Sequence, residues 1–287
     1  MRFVSFELDG KPRLGIREAD RIRILGDFAL EDLLANDVDL VAFANANTST
    51  DYVSADAVRL LPPLRRPPKI LCVGLNYRDH SAESQYAQPD YPTLFTRVNT
   101  SLVAHDAPIV RPAVTDSEGV DYEGELAVVI GRGGRHIRRE DALQHVAGYS
   151  VFNDGSIREY QFKTPQWTMG KNFDATGAFG PDLVTADELP AGARGLLLQT
   201  RLNGQVVQSA STDDMVFDVA TLIEVISQGI TLEAGDVIVA GTPSGIGWAR
   251  TPRLLMRAGD VCEVEIERVG LLRNAIADEA ALPRSRG

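Results

Sequence analysis

The apolar residues fall into short runs rather than long periodic stretches. Residues 70–73, 126–130, 196–200, 237–240 and 261–266 are each an unbroken or alternating apolar run bounded by Gly, Pro or polar clusters. Runs of this length read as strands, and the unbroken ones as strands buried on both faces. Residues 1 to about 25 alternate apolar and polar about a turn at Asp9-Gly10, which predicts short strands and a hairpin. Helical spacing occurs at 28–46, where Leu30, Leu33, Leu34, Leu40 and Val41 are apolar, and over shorter spans at 77–87, 139–146 and 218–228. Strands outnumber helices and regular strand–helix alternation is missing. This predicts a β-rich α+β fold with a closed or rolled sheet rather than a doubly wound one.

Pro62, Pro63, Pro67 and Pro68 crowd into one stretch that can continue neither a helix nor a central strand. The predicted division is a small N-terminal α/β domain over 1–66, ending in this linker, and a catalytic domain over 67–287 with a disordered tail from about 280. At 287 residues, 44% hydrophobic and 24% charged, the chain has the composition of a globular protein, which excludes disorder throughout. A net charge of −11 makes nucleic acid and anionic membranes poor partners. No apolar run is long enough to span a membrane, and the N-terminus lacks the apolar core of a signal peptide. Cys72 and Cys262 sit in apolar runs and read as buried free thiols, so a cytoplasmic location is expected.

The segment Asp121-Tyr122-Glu123-Gly124-Glu125 leads directly into an apolar run. Residues two apart on a strand share a face, so Glu123 and Glu125 point the same way. Two carboxylates entering a core repel each other and lose hydration, and a bound cation relieves both costs. Asp154 ends a second strand-like run, and lies at the mouth of the same face if the two strands pair. Three carboxylates without Cys or His form a hard oxygen site, suited to Mg²⁺ or Mn²⁺, with Ca²⁺ also possible, rather than Zn²⁺. Asp121 is read as an outer or solvent-facing group.

Only four of the 29 Lys and Arg residues are Lys, and Lys171 lies among Trp167, Met169 and Phe173. An ammonium there can stabilise negative charge on a substrate oxygen. His80 and Glu83 stand one helical turn apart, the spacing at which a carboxylate orients a general-base imidazole. Gly241-Thr242-Pro243-Ser244-Gly245 follows a strand and can offer backbone N–H groups and the Thr242 hydroxyl to an anionic group. The third glycine of a dinucleotide fingerprint is replaced by His136, and Walker A and nucleophile-elbow patterns are missing, so no nucleotide cofactor is expected.

Asn76-Tyr77-Arg78-Asp79-His80 with Glu83, Glu123-Gly124-Glu125, Phe152-Asn153-Asp154, Gln161, Lys171 and Gly241-Thr242-Pro243-Ser244-Gly245, in this order, resemble the fumarylacetoacetate hydrolase family over about 69–275. The resemblance implies a mixed β-roll core, a homodimer, and Mg²⁺ or Mn²⁺ on Glu123, Glu125 and Asp154. It implies that His80 and Glu83 sit on a lid, and that the substrate is a 2-oxo acid such as an acylpyruvate. The mechanism expected is C–C hydrolysis: His80, held by Glu83, takes a proton from a water placed by Gln161. Lys171 and the metal receive the enolate charge, and Gly241 and Thr242 bind the carboxylate end. Arg78, Arg97, Tyr160, Gln166 and Trp167 are candidates to read the distal group. Oxaloacetate decarboxylation and 2-hydroxy-dienoate isomerisation or decarboxylation are alternatives on the same metal site. A non-catalytic metal-stabilised binding protein is a further alternative.

Overall fold

The structure, a computed structural model, describes residues 1–79, 89–114 and 117–281. The helix expected at 77–87 and the tail from about 280 therefore lie mostly outside the described residues. Among those described, strands form two sheets, as the β-rich pattern predicts. Ten strands of the larger sheet run in the order Tyr52–Ser54, Arg21–Gly26, Lys11–Glu18, Arg2–Leu8, Gly177–Thr185, Val146–Asp154, Gly124–Ile130, Val237–Val239, Ile70–Gly74 and Thr93–Arg97. Two short strands, Arg59–Leu60 and Leu102–Val103, pair off this path. The smaller sheet runs Gln205–Ser211, Leu197–Leu202, Val261–Ile266, Gly270–Asp278 and Ile109–Arg111. The N-terminal strands extend the larger sheet, with Phe3 opposite Leu183.

Strand Gly124–Ile130 shows why its apolar run is unbroken. Leu126, Val128 and Ile130 pack in one core with the smaller sheet. Ala127 and Val129 point to the opposite core, with Phe3, Leu14 and Leu30 from the N-terminal segment. A strand covered on both faces needs apolar residues at both parities. The helix Val219–Gly229 covers the first core with Val219, Leu222, Ile223 and Ile226, the i, i+3, i+4, i+7 stripe of an amphipathic helix. The Asp218 carboxylate caps it by accepting from Thr221 N at 2.9 Å. The span read as one helix over 28–46 is two, Leu30–Ala35 and Leu40–Ala46, divided where Asp37 takes φ 55°. The 139–146 span closes only as a single tight turn, Ala142–His145.

Candidate active site

Strands Gly124–Ile130 and Val146–Asp154 pair antiparallel, Gly124 opposite Asn153, and Asp154 N donates to Glu123 O at 2.9 Å. This register puts Asp154 beside the two glutamates. One ligand atom from each of Glu123, Glu125 and Asp154 lies within 4.8 Å of the others, and all three residues are buried. The glycine between the glutamates faces the other way. A Cβ on Gly124 would collide with Thr200 Oγ1 and Val264 Cγ1 of the smaller sheet. The Glu-Gly-Glu pattern therefore serves two faces at once: carboxylates toward the site, close sheet packing behind it.

Three cations surround the carboxylates. Lys171 Nζ donates to Glu123 Oε2 at 2.5 Å and to Asp154 Oδ2 at 2.6 Å, and is 2% exposed. Burial alone would lower its pKa, but Asp154 and Glu123 outweigh burial and raise it, so the side chain stays an ammonium. Arg158 ties Glu123 to Asp121, donating to Asp121 Oδ2 at 2.8 Å. Arg97 donates to Asp154 and to Thr176 Oγ1, the latter at 2.8 Å. Asp121 is fully buried, contrary to a solvent-facing placement, and accepts from Gly247 N at 2.7 Å as well as from Arg158. Its pKa is raised by burial, with Arg158 opposing.

Glu125 is different. It is 2% exposed, and among the described residues its carboxylate has no ion-pair partner; the Gly241 N–H donates to its Oε2 at 2.6 Å. Burial, then Asp154 and Glu123, push its pKa well above the usual carboxylate range. Among the described residues four buried carboxyl groups face three buried cations, and Glu125 is the one left without a cation. A buried all-oxygen donor set with an uncompensated carboxylate fits a hard divalent cation, and Glu123, Glu125 and Asp154 would hold it.

The remaining expected site residues divide. Gln161 is buried, and its Oε1 accepts from Arg158 Nη1 at 2.8 Å. Since Arg only donates, this fixes the amide's orientation and leaves its NH₂ group to offer. Lys171 follows Gly170, whose missing Cβ lets the Thr168–Lys171 turn lie against Gln161. The Thr242 hydroxyl donates to Gly124 O at 3.1 Å and accepts from Gln208 Nε2 at 2.9 Å, bracing the loop against the strand. Arg78 is exposed beside a 270 Å³ cavity that Asp214, Pro243 and Ser244 also line. Tyr160 is edge-on to Phe173, with centroids 5.0 Å apart.

Arg97, a candidate distal reader, is instead buried on Asp154. Gln166 and Trp167 line a 730 Å³ cavity with Phe95 and Phe162. The Phe95 ring joins that cavity to the carboxylate cluster, since Lys171 Nζ lies 4.9 Å from its centroid. His80 and Glu83 lie outside the described residues. Sequence reasoning assigned no site role to Arg158 or Gln208. Gln208 stands among Val206, Val207, Ser209 and Ala210, a weak signal, whereas Arg158, followed by Glu159, carries none.

A buried acidic cluster at the end of a two-faced strand, backed by Lys and Arg, is a donor set that could hold a metal ion. The family model described as "Fumarylacetoacetate (FAA) hydrolase C-terminal" matches residues 69–277, and the chain belongs to this family. Oxaloacetate tautomerase YisK of Bacillus subtilis is 42% identical over 226 residues, covering 78% of this chain and 74% of the relative. The fumarylacetoacetate hydrolase of Exiguobacterium antarcticum superposes with a TM-score of 0.85 at 38% identity, covering 97% of this chain and 100% of the other. The 2-hydroxyhepta-2,4-diene-1,7-dioate isomerase of Mycobacterium marinum does so with 0.79 at 30% identity, covering 97% and 99%. Members of the family are enzymes, and the family generally uses divalent metals.

Proposed function

We propose that this protein is a divalent-metal-dependent enzyme that interconverts keto and enol forms of a 2-oxo dicarboxylic acid, with oxaloacetate as substrate. The observation that carries this reading is the convergence of Glu123, Glu125 and Asp154 beside the Lys171 ammonium. Likeness to a relative named as an oxaloacetate tautomerase supports the choice of substrate. A divalent ion on the three carboxylates would supply Lewis-acid polarisation of the 2-oxo group. Lys171 has two N–H groups committed to ligand carboxylates and a third for a substrate oxygen as negative charge develops there. The Gln161 amide, turned by Arg158, offers a donor to the same oxygen rather than an acceptor to a water. We assign proton transfer at carbon to His80, oriented by Glu83, on their spacing in the sequence.

C–C hydrolysis of an acylpyruvate, the reaction first expected, is the second reading. It is favoured by likeness to a structure named as a fumarylacetoacetate hydrolase. Both need the same enolate stabilisation and differ in whether a water attacks. Purified protein given enol-oxaloacetate and, separately, an acylpyruvate distinguishes them. Metal-dependent loss of enol absorbance beyond the spontaneous rate, abolished by EDTA and restored by Mn²⁺, is expected. Acylpyruvate cleavage with no effect on enol-oxaloacetate would replace the first reading by the second.

A further inference from the structure

We propose that Asn76 is a positioning residue that sets the Glu125 carboxylate through a single peptide unit. The Asn76 side chain is fully buried, and both its Nδ2 hydrogens and its Oδ1 are hydrogen-bonded. Nδ2 donates to Ala240 O at 2.7 Å and to Phe217 O at 3.0 Å, and Oδ1 accepts from Phe217 N at 2.8 Å. Ala240 O and Gly241 N belong to the same planar amide. That amide's N–H donates to Glu125 Oε2 at 2.6 Å. The order is therefore Asn76 amide, Ala240 carbonyl, Gly241 N–H, Glu125 carboxylate, each bond polarising the next in a site closed to water.

Two further observations fix the plane of this amide. Gly241 has φ +99°, and a Cβ there would come within 2.6 Å of Asn76 Cβ and 3.0 Å of Val73 O. Only glycine lets the peptide lie against Asn76 in this orientation. Ala240 N, in the preceding peptide, donates to Leu126 O at 2.9 Å, so the sheet anchors the chain just before the unit and Asn76 holds its carbonyl. Glu125 is the carboxylate with no cation of its own among the described residues, where this N–H is the one hydrogen-bond donor to it. Without Asn76 the amide carbonyl loses its side-chain donor, and Glu125 loses part of the support that fixes where its oxygens lie.

The inference rests on Glu125 being a metal ligand, and the test separates the two ideas. Mn²⁺ is titrated calorimetrically into metal-free wild type, Asn76→Ala and Met215→Ala. Met215 is buried and its backbone bridges to Tyr77, and among the described residues it makes no hydrogen bond to the Ala240–Gly241 amide. Expected is one Mn²⁺ on wild type, an affinity loss of roughly 10–100-fold for Asn76→Ala, as for other residues that orient ligands, and unchanged affinity with a lower Tm for Met215→Ala. Asn76→Ala binding within about twofold of wild type overturns the relay and leaves the metal reading standing. No binding to wild type overturns both. Wild type alone gives a second measurement that needs no variant. On titration with Mg²⁺ the amide ¹⁵N signals of Gly241 and of the Asn76 side chain should shift together, with the Asn203 side chain as an unmoved control. A Gly241 shift with a static Asn76 also overturns the proposal.

Discussion

Replacing Glu125 by Gln and Asp154 by Asn should have opposite effects on the metal-free protein, although both remove one carboxylate of the same cluster. Asp154 is bonded to Arg97 and Lys171, both buried. Asp154→Asn leaves two buried cations short of a partner, which costs about 3–5 kcal/mol for a buried pair broken on one side. Glu125 has no such partner among the described residues, and its burial beside Glu123 and Asp154 raises its pKa well above normal. A carboxyl group whose folded pKa is raised stabilises the fold only while it holds its proton. That contribution is complete below the unfolded value of about 4.3 and fades as pH rises toward the raised folded value. In EDTA, then, Glu125→Gln should match or exceed wild type in Tm, by a margin that grows with pH.

With metal the order reverses. At a free ion concentration of about 100 Kd, wild type gains roughly 2.7 kcal/mol. At about 2 °C per kcal/mol for a chain of this size, this is roughly 5 °C. Glu125→Gln should gain little of this, and Asp154→Asn should start several degrees lower and gain little as well. Differential scanning calorimetry in EDTA and in Mn²⁺, at two pH values, reads all of it. A Glu125→Gln protein destabilised in EDTA as strongly as Asp154→Asn would mean that Glu125 has a compensating partner, and its reading as the carboxylate left without a cation would fail.

Lys171→Met should retain Mn²⁺ binding while lowering turnover of enol-oxaloacetate by about 10²–10³, the cost of removing one donor to a developing oxyanion; calorimetric binding beside a rate assay checks both halves. Gly124→Ala should destabilise the fold by about 1–3 kcal/mol, because the added methyl meets the smaller sheet. It should weaken Mn²⁺ binding too, since the strand carrying both glutamates must move; an unchanged denaturation midpoint would contradict the packing described.

The acidic triad was legible because it follows from strand periodicity. Glu123 and Glu125 share a face for the reason any i, i+2 pair does, and Asp154 ends a second strand run. Their convergence needed one added condition, that the two strands pair, which the register supplies. What was not legible depends on side chains that arrive from far along the chain. Arg97 meets Asp154 across 57 positions, and Gln208 bridges Gly124 to Thr242 from a strand of the other sheet. No local pattern marks such residues, because their requirement is set by the partner's burial rather than by their own neighbours. Thr242 shows the converse: its sequence context suggests a ligand-facing hydroxyl, whereas Gln208 and the Gly124 carbonyl engage it within the fold.

The charge balance of the cluster also bears on the three basic side chains that stand beside a set able to hold a metal. Carboxylates alone would bind a divalent ion strongly, but the site would stay negative and repel an anionic substrate. Arg97, Arg158 and Lys171 leave one net negative charge among the described buried groups. On the proposed reading a divalent ion would make these groups net positive by one, a sign that would attract a 2-oxo carboxylate. The two arginines are locked into bonds with ligand or supporting carboxylates, and Arg158 also holds Gln161. Lys171, by contrast, bonds the carboxylates through two N–H groups, and on the proposed reading the third serves the substrate. Substituting Arg for Lys at 171 would preserve the charge but not the compact ammonium that fits between Glu123 and Asp154, so charge alone cannot replace it.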